Sequence, residues 1–376
     1  MNIVLISTWD TECGIATYSG YLKRALGKLG HRVYVAAEHT KESLSGQKVR
    51  GDQWYRLWDR RAPYGSPHGL EQIFRLLAVI KDPIVHIQHE FGLFPGEGLD
   101  MLEAALQVQK IKYVTTLHTV VPYPLQRGYF HNPLRTRGSF VVHTEAAVAC
   151  LRGLGCELIP HGTTPIAEPL HGPNWGQTSE AHQAAREELG VSKSHFLALC
   201  PGFMGSNKGQ VEIAEAYGMM GSTPALQLAF VGQCRDEAYL SELHGVLSKY
   251  GLRDKAIVQS SFCEDAVMAK WFQAANFVVL GGGKTSPYSA SGQLHQAMGY
   301  GLPILAKNTP IYRSGGGAGV LHYNNATELA MLMRGLAGNY RLGNQLGERS
   351  LEAARARSWD VVAQAHVNHY QSLEGR

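Results

Sequence analysis

Residues 277–307 read FVVLGGGKTSPYSASGQLHQAMGYGLPILAK, and this stretch contains the pattern that decides the fold. A short apolar run is followed by a loop of small residues, an amphipathic segment that closes with Gly-Leu-Pro, and a second apolar run. Short apolar runs bounded by turn residues are typical of strands that are buried on both faces. The order strand, loop, helix, strand therefore predicts a βαβ unit of a parallel sheet.

The same alternation extends through the whole chain. The first half contains the apolar runs NIVLIST, RVYVAAE, PIVHIQH, KYVTTLH, SFVVHT and CELIPHG, and the second half adds FLALCPG, LQLAFVG and AIVQSSF. Helix-like segments lie between them, for example IATYSGYLKRALGKLG, which ends at Gly30. Residues 163–179 are rich in Pro, Gly and Thr and lack apolar periodicity, so we place a domain join there. The sequence predicts an α/β protein with two Rossmann-like doubly wound domains, residues 1–170 and 171–359.

The composition excludes several classes of protein. The 376 residues are 44% apolar and 18% charged, and the net charge of +4 is too small to indicate nucleic acid by itself. The six cysteines form no C-x-x-C pair, so we expect neither a zinc site nor a disulfide framework. The N-terminal MNIVLISTWD lacks the features of a signal peptide, and no apolar run is long enough to span a bilayer. We therefore expect a cytoplasmic protein.

Candidate site residues follow the predicted strands, because ligands of doubly wound sheets bind at the carboxyl ends of the strands. Gly14 lies in a small loop before a helix, where free N–H groups attract anions. His89 and Glu90 follow the run IVHIQ, and His118 follows YVTTL. Each histidine is compatible with a functional role or with a satisfied core position, and Glu90 with orienting substrate hydroxyls or capping a loop.

Two glycine-rich loops in the second half lead into helices. PGFMGSNKGQVEIAEAY, residues 201–217, brings Lys208 to a helix N-terminus, where its charge adds to the helix dipole and suits a diphosphate. The loop before Ser291 and Gly292 leads into a second helix N-terminus of this kind. Two anion-binding helix starts in one domain indicate a pyrophosphate or a nucleotide. Neither a P-loop nor a G-x-G-x-x-G fingerprint is present, which leaves a nicotinamide dehydrogenase without its main support.

Arginines and aromatic residues are interleaved in two regions. The segment DQWYRLWDRRAPYG, residues 52–65, is the first, and the second lies between Glu103 and Glu145, where the chain has five basic residues and no acidic one. Tyr123 and Arg127 belong to the second region. Such mixtures suit stacking on bases or sugars with contacts to phosphate, attachment to a membrane surface, or ordinary loop packing.

Seven motifs occur in the order and spacing of one known family: CGIATYSGYL, IVHIQHEFGLFPG, VTTLHT, LIPHG, NKGQVEIAEAY, QAANFVVL and SASGQLHQAMGYGLPILA. Through them the chain resembles the retaining GT-B-type glycosyltransferases of family 4 (glycosyltransferase group 1) over almost its whole length. The resemblance implies two Rossmann-like domains facing across a cleft, with the nucleotide-sugar donor mostly on the second. SWDVVAQAHVNHY resembles the last helix of the family, which implies that residues 360–376 complete the first domain.

The resemblance also implies roles for individual residues. His118 would contact the transferred sugar near the reacting carbon, and Lys208 would neutralise the diphosphate leaving group. The donor would be bound by Gly14, Lys208, Phe262, Tyr288, Ser291, Gly292 and Gln296, and the acceptor by His89, Glu90, Tyr123 and Arg127.

Two features depart from the pattern of the family. The segment GFMGS before Lys208 lacks an arginine that the family usually has, and the glutamate pair E-x7-E falls on Tyr288 and Gln296. Gln296 can still hydrogen-bond to ribose hydroxyls as a neutral amide, whereas Tyr288 offers the sugar no carboxylate. The replacements predict a donor site with altered selectivity.

The chemistry expected on this basis is sugar transfer without a cofactor, from a UDP-sugar in preference to a GDP-sugar. The chain has no D-x-D motif, so we expect no metal ion, and it has no obvious nucleophile, which favours front-face attack by the acceptor hydroxyl. The expected acceptor is a glycan, a lipid-linked or small-molecule hydroxyl, or alternatively a modified base of DNA. A second alternative is a non-catalytic sugar-nucleotide-binding protein, which Tyr288 and Gln296 permit.

Overall fold

The computed structural model describes residues 1–39, 53–59, 67–94, 98–121, 139–151, 155–167, 169–171, 179–221, 225–282, 288–315, 317 and 319–373. The chain forms two compact units. The first contains Met1–Gly162, Tyr288–Ala290 and Trp359–Arg376, and the second contains Thr163–Pro287 and Ser291–Ser358. No helix within the described ranges combines the length and the apolar character that crossing a membrane requires.

The first unit is built around a parallel sheet. Its strands are β1 (Asn2–Ser7), β2 (Arg32–Glu38), β3 (Trp54–Trp58), β4 (Pro83–His89), β5 (Lys112–Leu117), β6 (Ser139–Val142) and β7 (Cys156–Leu158). They pair in the order β3-β2-β1-β4-β5-β6-β7, and every pairing is parallel. The apolar runs predicted as strands are confirmed. The edge strand β3 is not among the predicted strands, because its interleaved arginines and aromatic residues form no continuous apolar run.

Helices of the first unit cover both faces of this sheet. Four of them are α1 (Gly14–Lys28), α2 (Pro67–Ala78), α3 (Gly98–Val108) and α4 (Glu145–Cys150). Leu22 and Leu26 of α1 are fully buried in the same apolar cluster as Ile3 and Leu5 of β1. The end of α1 follows the sequence signal: Leu29 is its C-cap, and Gly30 has a φ of 83°, which a glycine adopts without strain.

The second unit repeats this architecture with six strands. They are β8 (Phe196–Pro201), β9 (Leu226–Val231), β10 (Ala256–Gln259), β11 (Phe277–Leu280), β12 (Ile304–Lys307) and β13 (Val320–Tyr323), paired in parallel in the order β10-β9-β8-β11-β12-β13. Its helices are α5 (Glu180–Glu188), α6 (Gln210–Met219), α7 (Glu237–Lys249), α8 (Asp265–Ala274), α9 (Gly292–Gly299), α10 (Pro310–Gly315), α11 (Ala326–Ala337) and α12 (Tyr340–Arg355).

The last helix, α13 (Trp359–Ser372), belongs to the first unit. Val362, Ala363 and Val367 lie in the apolar cluster that α1 forms with β1. Burying a valine side chain of this kind contributes about 1.5–3 kcal/mol to stability. The helix also brings Tyr370 to the buried His86 of β4, with 2.7 Å between Tyr370 Oη and His86 Nδ1.

In each sheet the strand order reverses beside the strand that comes first in the sequence. β1 lies between β2 and β4 in the first unit, and β8 lies between β9 and β11 in the second. The connections that leave the two neighbours run in opposite directions, so a crevice opens at the carboxyl ends of the strands, where ligands of such sheets bind. The loops after β1 and β4, and those after β8 and β11, are therefore the places where functional residues are expected.

Candidate functional site

Lys208 lies at the reversal point of the second sheet, in the loop that joins β8 to α6. Its side chain is half-buried, and burial lowers the pKa of its ammonium group. Among the described residues, the ammonium group has no hydrogen-bond or ion-pair partner. The loop itself is braced from within, because Gln210 Nε2 donates to the carbonyl of Phe203 and Tyr239 Oη donates to Gln210 Oε1. A desolvated cation on a braced loop is suited to binding an anion.

The loop after β11 packs directly against the Lys208 loop, backbone on backbone. Gly209 is the N-cap of α6 with a φ of 74°, and a Cβ added there would lie 2.8 Å from the backbone nitrogen of Gly282. A Cβ on Gly281 would lie 2.5 Å from the carbonyl oxygen of Lys208. Only residues without a side chain permit this approach. The glycines that suggested a phosphate loop thus bring the two loops together.

Replacing Gly209 by alanine is expected to lower the free energy of unfolding by at least about 2 kcal/mol, because it combines left-handed strain with a backbone collision. Urea denaturation of both proteins measures the change. Gly245, inside α7, has open space around its Cβ position, so Gly245→Ala is the matched control. That variant should be unchanged or more stable by up to about 1 kcal/mol. Equal stability of the two variants would contradict the close packing of the loops.

The start of α9 is the second anion-binding feature of this unit. Ser291 is a buried N-cap whose hydroxyl accepts a hydrogen bond from the backbone N–H of Leu294 at 3.3 Å, and Gly292 is the first helical residue. Gln293 lies over the β8 loop, since a Cβ on Gly202 would be 2.5 Å from Gln293 Nε2. The N-termini of α6 and α9 therefore lie on either side of one small region. Gln296 is half-buried one turn further along α9.

The other two donor-side candidates of this half of the sequence lie on other elements. Phe262 is half-buried and follows β10, the edge strand two positions from β8. Tyr288 is grouped with the first unit, where its ring packs at the margin of an apolar cluster that contains Leu117 and Val120. The contacts within the second unit thus link the Lys208 loop with the start of α9, while Tyr288 packs within the first unit.

In the first unit, His118 lies just after β5 at the carboxyl edge of the sheet. Its Nε2 is 2.9 Å from Oε1 of Gln88, on the neighbouring strand β4. Burial, with smaller contributions from His143 and His89, lowers the pKa of His118 well below the usual value, so the ring is neutral at pH 7. Glu90 directly follows the neighbouring strand β4. Its carboxylate accepts hydrogen bonds from Thr119 Oγ1 at 2.8 Å and from the N–H of Phe91.

His89 is a core residue in this structure. It is 1% exposed, and its ring packs against Phe91 and Phe94. Burial lowers its pKa to about 3. The role predicted for it in contacting an acceptor is therefore not supported by its position, because a strand places alternate residues on opposite faces and His89 faces the interior. Gly14 begins α1 and is exposed, with open space where a Cβ would lie.

Tyr18 of α1 packs against several rings near the carboxyl ends of β5, β6 and β7. Its ring centroid lies 4.8 Å from that of His118, 5.4 Å from that of His143 and 5.0 Å from that of Trp359. His143 Nδ1 is 2.9 Å from the carbonyl oxygen of Ile159, and burial lowers the pKa of His143 to about 4. The cluster is uncharged at neutral pH and fixes one side of the His118 ring.

The arginine and aromatic segment at 52–65 is used inside the first unit as far as it is described. Trp58 is buried, and its Nε1 donates to the carbonyl of Ala36. Arg56 donates from Nη1 to the carbonyls of Trp9 at 2.9 Å and Glu38 at 2.7 Å, so its guanidinium holds the loop after β1. These contacts favour the interpretation as loop packing over stacking on bases. Tyr123 and Arg127 lie outside the described residues.

Sequence reasoning missed Gln88 and Gln293. Gln88 lies two residues after His86 in β4, so both side chains lie on the same face of the strand. This spacing was the feature of the sequence that could have indicated a role for Gln88. No signal marked Gln293, because its contact with Gly202 depends on two loops that are distant in the sequence.

Residues 13–165 match the family model of Glycosyltransferase Family 4. No curated protein sequence matches the chain. Three solved structures of similar fold are a glycosyltransferase from Rickettsia africae (15% identity, 99% of this chain and 98% of the other, TM-score 0.74), Anabaena HepE in complex with UDP and glucose (16%, 99% and 100%, 0.75), and sucrose-phosphate synthase from Thermosynechococcus elongatus (17%, 100% and 99%, 0.72).

At these identities the solved structures establish the fold, and the family model matches a segment of less than half of the chain. The two parallel sheets with their helices are those of the GT-B class, as the sequence predicted. The chain has the GT-B fold, and its residues 13–165 match the model of the family-4 glycosyltransferases.

Proposed function

We propose that the protein transfers a sugar from a UDP-sugar to an acceptor hydroxyl, with retention of the anomeric configuration and without a metal ion. The observation that carries this proposal is the half-buried ammonium group of Lys208, which has no partner among the described residues and lies between the N-termini of α6 and α9. A diphosphate bound there would supply the missing counter-charge.

The leaving group decides which electrostatics the site needs. When the bond to the sugar breaks, negative charge grows on the nucleoside diphosphate. We assign to Lys208 and to the N-termini of α6 and α9 the stabilisation of that charge, in which groups that are already oriented need little reorganisation during the reaction. The lowered pKa of Lys208 supports this role, because binding a diphosphate relieves the cost of desolvating the cation.

The choice of uridine rests on likeness. The Anabaena protein HepE was crystallised with UDP and with UDP-glucose, and its chain and this one cover each other almost completely. We assign Phe262 to the nucleobase and Gln296 to the ribose. Gln296 can both donate and accept hydrogen bonds, as a ribose diol requires, although it lacks the charge of a glutamate.

We propose front-face attack for the transfer step. The acceptor oxygen forms a bond to the anomeric carbon on the face from which the diphosphate leaves. The bond between that carbon and the diphosphate oxygen breaks with its electron pair on the oxygen, and the acceptor proton passes to the same oxygen. The step balances without a protein nucleophile, and His118 is assigned to contact the transferred sugar.

The donor is tested by a thermal-shift screen with UDP-, GDP-, ADP- and TDP-sugars. We expect a UDP-sugar to stabilise the protein most, by about 2.7 kcal/mol at a concentration 100 times its Kd, which corresponds to a rise of Tm of roughly 2–4 °C. UDP alone should give most of the shift, since the diphosphate supplies the main contact. Absence of a shift with every sugar nucleotide would refute the proposal.

Retention and metal independence need separate measurements. The configuration of the new glycosidic bond is read by NMR of the product, and an inverted centre would refute the retaining assignment. Turnover in the presence of EDTA should equal turnover without it. For the acceptor, glycans, lipid-linked and small-molecule hydroxyls are compared with duplex DNA that carries modified bases, and steeply salt-dependent binding to the duplex would favour the DNA acceptor.

A further inference from the structure

His118 is the half-buried end of a chain of hydrogen bonds whose other members are buried in the first unit. His118 Nε2 lies 2.9 Å from Gln88 Oε1, and Gln88 Nε2 lies 3.0 Å from His86 Nε2. His86 Nδ1 in turn lies 2.7 Å from the hydroxyl of Tyr370, on α13. The chain thus joins a strand-end residue to the C-terminal helix through two neighbouring strands. Gln88 and His86 are completely buried.

The chemistry of the groups fixes where the protons lie. Both histidines have pKa values well below the usual range because they are buried, so each neutral ring carries one proton. The Gln88 carbonyl oxygen can only accept, so the proton of His118 is on Nε2. The Gln88 amide nitrogen can only donate, so His86 Nε2 accepts from it and from the hydroxyl of Thr116, which lies 2.7 Å away, and the His86 proton is on Nδ1, directed to Tyr370 Oη. Each member of the chain has a partner of the right kind.

We infer that Gln88 is a positioning residue, which holds His118 in the tautomer protonated at Nε2 and so leaves Nδ1 as a hydrogen-bond acceptor for a hydroxyl of the transferred sugar. This inference rests on the proposed function for the identity of the partner of His118. The positioning itself depends only on contacts within the first unit. A neutral acceptor nitrogen favours a hydroxyl group at this place and gives no attraction to a phosphate, which remains with Lys208.

The groups that face the His118 ring support a neutral, fixed imidazole. They are Tyr18 from α1 and His143 from the loop after β6, and both are uncharged at neutral pH. The nearest carboxylate of the same loops, Glu90, is occupied by Thr119 and by the backbone of Phe91. Gln88 is therefore the described side chain that sets the proton position of His118.

The first test is nitrogen NMR of histidine-labelled protein, with His118 assigned by comparison with His118→Ala. In the unmodified protein we expect a protonated Nε2 and an unprotonated Nδ1 at pH 7. In Gln88→Met, which keeps the volume but not the hydrogen bonds, the His118 signals should indicate a mixture of tautomers. A protonated Nδ1 in the unmodified protein would overturn the inference. This measurement needs no substrate, so it is independent of the proposed function.

The second test uses kinetics with a UDP-sugar. Gln88→Met should lower kcat about tenfold with little change of the KM for UDP-sugar. Gln88→Glu keeps the acceptor for His118 Nε2–H but adds a charge that stabilises the imidazolium form. Its activity should therefore fall below neutral pH and recover at higher pH, with an apparent pKa at least about one unit above that of the unmodified enzyme. An unshifted pH profile in Gln88→Glu would contradict positioning by Gln88.

Ser139→Ala is the matched control. The Ser139 hydroxyl lies 2.8 Å from His369 Nε2, so it joins the same sheet to the same helix α13 through a buried hydrogen bond, away from His118. This variant should lose stability as Gln88→Met does but keep the pH profile and the His118 signals. If Ser139→Ala lowers kcat as much as Gln88→Met, Gln88 is only structural. If all variants and the unmodified protein lack transfer activity while the NMR result holds, the proposed function fails and the positioning of His118 stands.

Discussion

Replacing Lys208 by alanine is expected to lower kcat by about 10²–10³-fold, the usual cost of removing one preorganised electrostatic group from a developing anion. The large effect follows from burial: the ammonium group is desolvated and lacks a protein partner among the described residues, so its charge is available to the leaving group. Turnover of a UDP-sugar, measured as release of UDP, gives the result. The thermal shift caused by UDP should also become smaller.

Lys270→Ala is the control for loss of a lysine from the same unit. Lys270 forms a partly exposed ion pair with Glu188, and pairs of this kind contribute only about 0–1 kcal/mol. Its removal should leave turnover unchanged. A kcat of Lys208→Ala close to that of Lys270→Ala would contradict the role of Lys208 on which the proposed function depends.

Acidification is expected to destabilise the protein steeply between pH 6.5 and 4. In the folded first unit, burial lowers the pKa of His89 to about 3, of His143 to about 4 and of His366 to about 3. In the unfolded chain the same groups titrate near 6.5, so below that pH the unfolded state binds more protons and is favoured. Each histidine then costs about 1.4 kcal/mol per pH unit, and three cost about 4 kcal/mol between pH 5.5 and 4.5.

Urea denaturation followed by circular dichroism at pH 7.5, 5.5 and 4.5 checks this prediction. His366→Leu should reduce the loss between pH 5.5 and 4.5 by about 1.4 kcal/mol, while replacement of the exposed His195 by glutamine controls for the loss of a histidine. His171 and His182 of the second unit, with pKa values lowered to about 4 and about 3, act in the same direction. A free energy of unfolding that stays constant from pH 7.5 to 4.5 would contradict the buried neutral histidines.

The sequence predicted the strands that carry the site, and it missed one edge strand of each sheet, β3 and β13. β1, β8 and β11 are mostly apolar runs because both of their faces are covered by helices, and the polar residues inside β4 and β5 are buried in the same way. β3 and β13 have half-exposed residues and no such run, so their pattern did not distinguish them from loops. The same limit made the Arg56 and Trp58 segment look like a binding surface.

Some features of the candidate site could be predicted from neighbouring residues in the chain, and others depend on tertiary packing. Lys208, Ser291 and Gly292 were predicted from sequence, because a glycine-rich loop and a helix start are defined by neighbours in the chain. The burial of the His89 side chain was not, because the face of a strand that is covered depends on which helix packs there. The placing of Tyr288 with the first unit was equally invisible in the sequence.

The sequence by itself determined two parallel α/β sheets and a cation at the start of a helix, since strand burial, helix periodicity and turn chemistry act over a few neighbouring residues. Only the tertiary structure decided which groups meet. The pairing of β4 with β5 puts Gln88 beside His118, and the docking of α13 adds Tyr370 to the end of that chain. The packing of Gly209 on Gly282 likewise joins the two loops beside Lys208. Such contacts join residues far apart in the chain, and proton position and loop shape are therefore set by strand order and helix docking.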